Sequence, residues 1–302
     1  MPLPIRNAQL QDYPHLAQLQ NAHFQHHWTF TPQELQTGDE RAQTKYGPLS
    51  GRLVAEIGGN VAAGLSFRPA EGQGGTLRVQ LSGDRAAYLA LYTEFLARVG
   101  PYRPAAVHSV TREDFADMEF LGAAGFQNRW QSWGAHLDLA RFDFARFEAL
   151  EERLFLDGFE VEDLASRQDE ASGALYALFL AVRTDTPHNP TTTHLDTTFA
   201  GFERDVLGGR VFAAFRKGEL LGYTALSVRG DEVESDHTAV AARVRGRGLA
   251  SLLKARALRW AREQGHRGAG TGGTVLNLPM LRVNQKLGYE VGPMWVTWVR
   301  EL

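Results

Sequence analysis

The chain of 302 residues contains no cysteine. That excludes a disulfide framework, a thiolate nucleophile and any Cys-ligated zinc or iron–sulfur cluster. Long hydrophobic runs are missing too. The longest, Ala174 to Val182, is far short of the roughly 20 apolar residues that span a bilayer. Met1 to Asp12 carries no apolar stretch of signal-peptide type after Arg6, so the expectation is a cytoplasmic protein without membrane attachment. Nor is one sign of charge in excess: 32 Lys+Arg against 35 Asp+Glu give a net of -3, and the whole chain has no electrostatic reason to seek nucleic acid. The histidines lack ligand spacing. His26 and His27 are adjacent and would point apart on a regular element, and His188 and His194 have no nearby carboxylate pair, so no metal is expected. What remains is an ordinary globular composition, with 43% hydrophobic and 22% charged residues.

The sequence resembles itself. Val54 to Gly64 aligns without a gap on Phe212 to Gly222, each stretch reading as two apolar strands around a turn with Gly59 or Gly218. Phe120 to Phe126 falls on Arg282 to Tyr289 when Gly125 is set on Gly288, and both are followed by tryptophans spaced for a final strand, Trp130 and Trp133 or Trp295 and Trp298. The offset is about 160 residues in both cases, as two copies of one domain of ordinary size would give. The domains are expected at 1–141 and 142–302, with Phe142 to Phe155 as a linking helix. Each copy starts with a helix, Asp12 to His26 or Gln168 to Arg183, then turns to strands, one long helix and closing strands. The class is mixed α/β. The loop Thr184 to His194, with Pro187 and Pro190, is expected to be irregular and exposed.

Val233 to Gln264 is the most informative segment. An alternating strand leads into Arg245-Gly246-Arg247-Gly248-Leu249-Ala250, and Leu249, Leu252, Leu253, Ala257, Trp260 and Ala261 then follow helical spacing up to Gly265. Lys254, Arg256, Arg259 and Arg262 are expected on the other side of that helix. A helix starting after Gly248 offers unpaired N–H groups and a positive dipole end, and two glycines let a bulky anion approach the backbone. With Arg243, Arg245, Arg247 and Lys254 close by, the pattern predicts a cradle for a phosphorylated small molecule. It is no dinucleotide fingerprint, because Ser251 stands where that motif has Gly or Ala. Gly268 to Thr274 lacks the P-loop lysine and reads as a turn and strand end.

Arg245 to Ala250 resembles the central motif of the GCN5-related N-acetyltransferases: Gln or Arg, two residues, Gly, one residue, Gly or Ala. The preceding Thr238-Ala239-Val240 and the later Asn277, Met280, Asn284 and Leu287-Gly288-Tyr289 are similar to the rest of that family's pattern. The resemblance covers about 145 to 302, and the tandem arrangement looks like that of mycothiol synthase-like proteins. It implies two tandem domains, each a mixed, largely antiparallel twisted sheet flanked by helices. It implies acetyl-CoA as cofactor, held by Thr238, Val240, Arg245, Gly246, Arg247, Gly248, Leu249, Ala250, Lys254 and Asn277. In the first copy Asp84 and Arg85 stand where the second has Arg247 and Gly248. A carboxylate about 4 Å from a phosphate charge repels it by about 1 kcal/mol even in water, so that copy is expected to have lost the cofactor.

The implied activity is transfer of an acyl group, expected to be acetyl, from coenzyme A to a primary amine of a small molecule or peptide. A non-catalytic acyl-CoA-binding regulator is the alternative, and the chain is expected to be a monomer or homodimer. An alkylammonium has a pKa near 10.4, so a base must take a proton. On a regular strand Glu232, Glu234 and Asp236 share one face, continued by Thr238 and Val240, while Val233, Ser235 and His237 share the other. Glu234 is the expected base, with Asp236 and His237 as rivals. The family polarises the thioester carbonyl through a strand N–H, here at Val240 or its neighbours. Its usual proton-donating Tyr is replaced by Asn284, which is no acid at neutral pH. Water or Tyr289 would then serve, and Asn277 and Asn284 would bind the pantetheine arm or the substrate, or cap a helix.

Overall fold

The computed structural model describes residues 3–24, 29–187, 189 and 196–302. His26, His27, His188 and His194, and most of the far half of the Thr184 to His194 loop, lie outside the described residues. The chain forms two compact units: Met1–Gln131 with Pro293–Leu302, and Ser132–Gly292. No described helix is long and apolar enough to cross a membrane.

The first unit runs β1 (Ile5–Asn7), α1 (Tyr13–His23), α2 (Pro32–Tyr46), β2 (Gly51–Ile57), β3 (Asn60–Pro69), β4 (Thr76–Gly83), α3 (Tyr88–Val99), β5 (Ala106–Arg112), α4 (Met118–Ala123) and the start of β6 (Gln127–Asp138). The hairpin expected over Val54 to Gly64 is β2 and β3. Helix α2 starts at a capping box in which Thr31 and Glu34 satisfy each other's backbone N–H. Helix α3 buries Tyr88, Leu91, Tyr92, Phe95 and Val99 at helical spacing against β2 to β5. The neighbouring strands are antiparallel except β4 and β5, which pair in parallel over Thr76–Arg78 and Ala106–His108.

The second unit continues with the last residues of β6, then α5 (Glu148–Leu156), β7 (Phe159–Asp163), α6 (Gln168–Arg183), α7 (Phe199–Phe202), β8 (Arg210–Arg216), β9 (Glu219–Arg229), β10 (Glu232–Val240), α8 (Leu249–Glu263), β11 (Gly268–Thr274), α9 (Leu278–Leu287) and β12 (Glu290–Val291). The linking helix expected over 142–155 is a 3₁₀ turn, Phe144–Phe147, running into α5. Helices α6 and α8 occupy the expected segments. The strand order is β7-β8-β9-β10-β11-β6. Among the described residues of this unit, only β10 and β11 are parallel.

The last strand of the chain, β13 (Trp295–Glu301), belongs to the first unit. It pairs along its length with β5, Trp295 opposite Arg112 and Glu301 opposite Ala106. Trp295 stands edge-on to Phe115 at 5.6 Å, and Arg300 donates to the Ala124 carbonyl at 2.7 Å. Reciprocally, Ser132 to Asp138 of β6 pairs with all of β11 in the second unit. We propose 1–141 and 142–302 as the repeat in sequence; strand pairing groups the residues by a different rule.

Candidate active site

The two parallel strands of the second unit touch only briefly. Glu232, Val233 and Glu234 of β10 pair with Gly268, Ala269 and Gly270 of β11, and the pairing ends there. Beyond that point β10 stays with β9 and β11 stays with β6. A gap opening at the carboxyl ends of parallel strands is a standard place for a ligand. A cleft of about 960 Å³ is lined here by Thr238 and Val240 of β10, the turn Arg245 to Ala250, and Leu276, Asn277 and Met280 before and within α9. That is at the upper end of usual ligand-site volumes.

The turn is built as an anion cradle. Gly246 and Gly248 have φ of 77° and 94°, left-handed values that side-chain-bearing residues rarely adopt. Helix α8 follows at once with no side chain capping its first N–H groups. Arg245 braces the turn: its Nε donates to the Val240 carbonyl at 3.0 Å and its Nη1 lies 3.0 Å from Asp185. Arg247 is 3.6 Å from Asp157. Helix α5 rests on the same turn, where a side chain on Gly248 would come within 2.7 Å of Leu150.

Other candidate residues are placed as follows. Leu249 is buried under the turn. Asn277 caps α9, accepting from the Met280 N–H at 3.4 Å, and lines the cleft as well. Lys254, expected on the basic side of α8, is only 2% exposed and donates to Ser235 Oγ at 2.7 Å, with its ammonium 5.6 Å from the Tyr289 ring centre. It does not line the cleft. The reason is that α8 is buried around most of its circumference, so that even a lysine must find a polar partner inside.

Strict alternation along β10 fails at its centre. The register shifts between Glu234 and His237, and a bulge moves later side chains to the opposite face. Ser235 meets Lys254 of α8, whereas His237 packs on Phe179 of α6 and shares a 2.9 Å hydrogen bond with the Tyr223 hydroxyl. Burial, reinforced by the charge of Arg183, pulls the His237 imidazole down to about 4, so it is neutral at pH 7. Glu234 is the last residue of β10 before the parallel strands part, and it is half-buried.

Gly268 to Thr274, expected as a turn and strand end, is the full strand β11. Its glycines make room for neighbours. Side chains at Gly268 and Gly270 would collide with Glu232 and Glu234, and one at Gly273 would crowd the Trp133 ring. Asn284 is fully buried, and neither atom of its amide has a partner among the described residues. Tyr289 is buried beside it in sequence, its hydroxyl likewise unpaired and pushed well above the usual phenol range by burial and then by Glu234. Neither residue lines the cleft. Arg146, Leu150, Arg153 and Asp185 also line the cleft and belong to no motif in the sequence.

In the first unit the turn that aligns with it in sequence carries a side-chain cap. Gly83 ends β4 with φ of 93°, and Asp84 spends its carboxylate on the Ala86 N–H at 2.9 Å.

Parted parallel strands, a glycine turn and an uncapped helix define a phospholigand-binding α/β domain. Residues 174–289 match the acetyltransferase (GNAT) family. No curated protein matches the sequence. Among solved structures, a GCN5-related N-acetyltransferase from Sphaerobacter thermophilus is similar with a TM-score of 0.66 at 14% identity, covering 99% of this chain and 96% of that one. A tandem GNAT protein from the clavulanic acid biosynthesis pathway has a TM-score of 0.61 at 20% identity, with 99% and 98% covered. The fold is therefore that of two tandem GNAT-like domains, each a largely antiparallel sheet with flanking helices. The likeness to mycothiol synthase-like proteins stands on the sequence arrangement alone.

Proposed function

We propose that the protein transfers an acyl group, acetyl in the first instance, from coenzyme A to a primary amine of a small molecule or peptide, with one cofactor site per chain in the second unit. The observation that carries this is a single cleft lined by the uncapped glycine turn, by Thr238 and Val240 of β10 and by Asn277 at the start of α9; Glu234 lies on the same strand where the parallel pairing ends and does not line that cleft. The site fits the group. The N–H groups at Leu249 and Ala250 and the guanidinium of Arg247 are placed to hold a diphosphate, while Thr238, Val240 and Asn277 flank the narrower arm. When bound, acyl-CoA supplies the acyl group as a thioester with a thiol leaving group.

Glu234 takes the proton that makes the amine nucleophilic, directly or through one water. The backbone of β10 near Val240 polarises the carbonyl. Asn284, buried and away from the cleft, has no part in proton transfer under this reading, and the thiolate leaves to water. The same feature favours the second reading, an acyl-CoA-binding regulator. Replacing Glu234 by Gln separates the two. Turnover with any accepted amine, followed by thiol release, should fall at least about a hundredfold while acetyl-CoA affinity measured by calorimetry holds. Unchanged turnover rejects the base assignment. Ala250→Glu, which puts a carboxylate in the first turn of α8 at a helical φ, should abolish binding of the single equivalent; two sites in the wild type would place cofactor in the first unit too.

A further inference from the structure

The cleft holds more positive charge than a diphosphate needs. Arg146, Arg153, Arg245, Arg247, Arg282 and Lys286 all line it, against one carboxylate, Asp185, which is already paired with Arg245. Two of these, Arg146 and Arg153, come from the segment before β7, outside the 174–289 family match. Arg146 lies in the 3₁₀ turn that runs into α5, Leu150 and Arg153 lie in α5 itself, and all three line the cleft. Leu150 seats α5 on Gly248, and Arg153 Nη2 donates to the Arg247 carbonyl at 2.8 Å. Both guanidiniums remain exposed at the cleft mouth, and Arg146 has no carboxylate partner among the described residues.

We propose that Arg146 and Arg153 form a second anion subsite that takes the 3′-phosphate of coenzyme A and makes the protein discriminate against cofactors lacking it. This rests on the reading of the second unit as a coenzyme A site. The glycine turn and Arg247 serve the diphosphate, and Arg146 and Arg153, brought to the same cleft by a segment outside the family match, are left for a phosphate carried elsewhere on the same ligand. Arg282 and Lys286 approach from α9, the other wall.

The experiment is calorimetric titration of the full chain with coenzyme A and with 3′-dephospho-coenzyme A. The wild type should bind coenzyme A about tenfold more tightly or better, as charge-assisted bonds to one phosphate require. The Arg146→Gln, Arg153→Gln double variant should bind the two ligands alike, with dephospho-coenzyme A affinity within about twofold of wild type. Gln at 153 keeps an N–H donor for the Arg247 carbonyl, and circular dichroism checks the fold. Equal wild-type affinities overturn the proposal and leave the cofactor reading standing. So does an equal loss for both ligands in the double variant, or discrimination that disappears instead in Arg282→Gln, Lys286→Gln. No binding of either ligand by the wild type overturns the cofactor reading itself.

Discussion

At the residue scale, buried polar groups carry the sharpest consequences. The Lys254 ammonium is inside the second unit with Ser235 as an acceptor. Ser235→Ala removes an acceptor but leaves the charge, which costs more than losing both partners together. In urea melts, Ser235→Ala should therefore be less stable than the Ser235→Ala, Lys254→Met double variant, and the reverse order would show that the pair is net stabilising. Buried histidines set a pH limit. In the first unit His108 is pulled down to about 4 by burial and the charge of Arg78; an unfolded histidine titrates near 6.5. Between those values the unfolded chain binds a proton that the folded one refuses. Its contribution to stability is complete above about pH 6.5 and is lost as pH falls toward 4. The melting temperature should drop over that window, and His108→Gln should flatten the drop; an unaltered slope would remove His108 as a cause.

At the scale of elements, caps and registers do the positioning. Asn277 ends the run from β11 and begins α9 with a side-chain cap. Asn277→Ala should cost about 1 kcal/mol in chemical denaturation and speed amide exchange at the start of α9, while Asn277→Asp should keep the cap. A cap role alone predicts that Asn277→Asp retains cofactor affinity as well. The bulge in β10 is a larger device. It separates Ser235 from His237 and leaves Glu234 at the last paired position of the parallel strands. Glycines at 268 and 270 complete the arrangement by leaving space for the two glutamates.

For the molecule as a whole, the decisive feature is where the terminal strand goes. β13 supplies the first unit with a strand beside β5 and with Trp295 and Trp298. Ending the chain after Gly292 should raise hydrogen exchange in β5 and α4, read by mass spectrometry, while β8 and β9 in the second unit keep their protection. If β8 and β9 lose protection first, the division into units is wrong.

Much of this protein was legible in its residues. The repeat, the hairpins, helices α5, α6 and α8, and the glycine turn all showed themselves because they are local. Period 3.6, period 2 and the demand for positive φ act over a few neighbouring residues, and Gly246 and Gly248 meet that demand wherever the turn lies. Only the tertiary structure decided the rest. Alternation could not reveal the register shift after Glu234, because a bulge depends on what the partner strand offers. Helical spacing put Lys254 with the solvent-facing arginines, but α8 is packed on nearly all sides and a residue 19 positions away on β10 receives its charge. Arg153 reaches the Arg247 carbonyl across 94 residues, and β13 finds β5 rather than a strand of its own copy. Sequence determines which segments can become strands and turns; long-range pairing, in which each strand's hydrogen bonds and buried faces must be met by a partner, decides which of them meet.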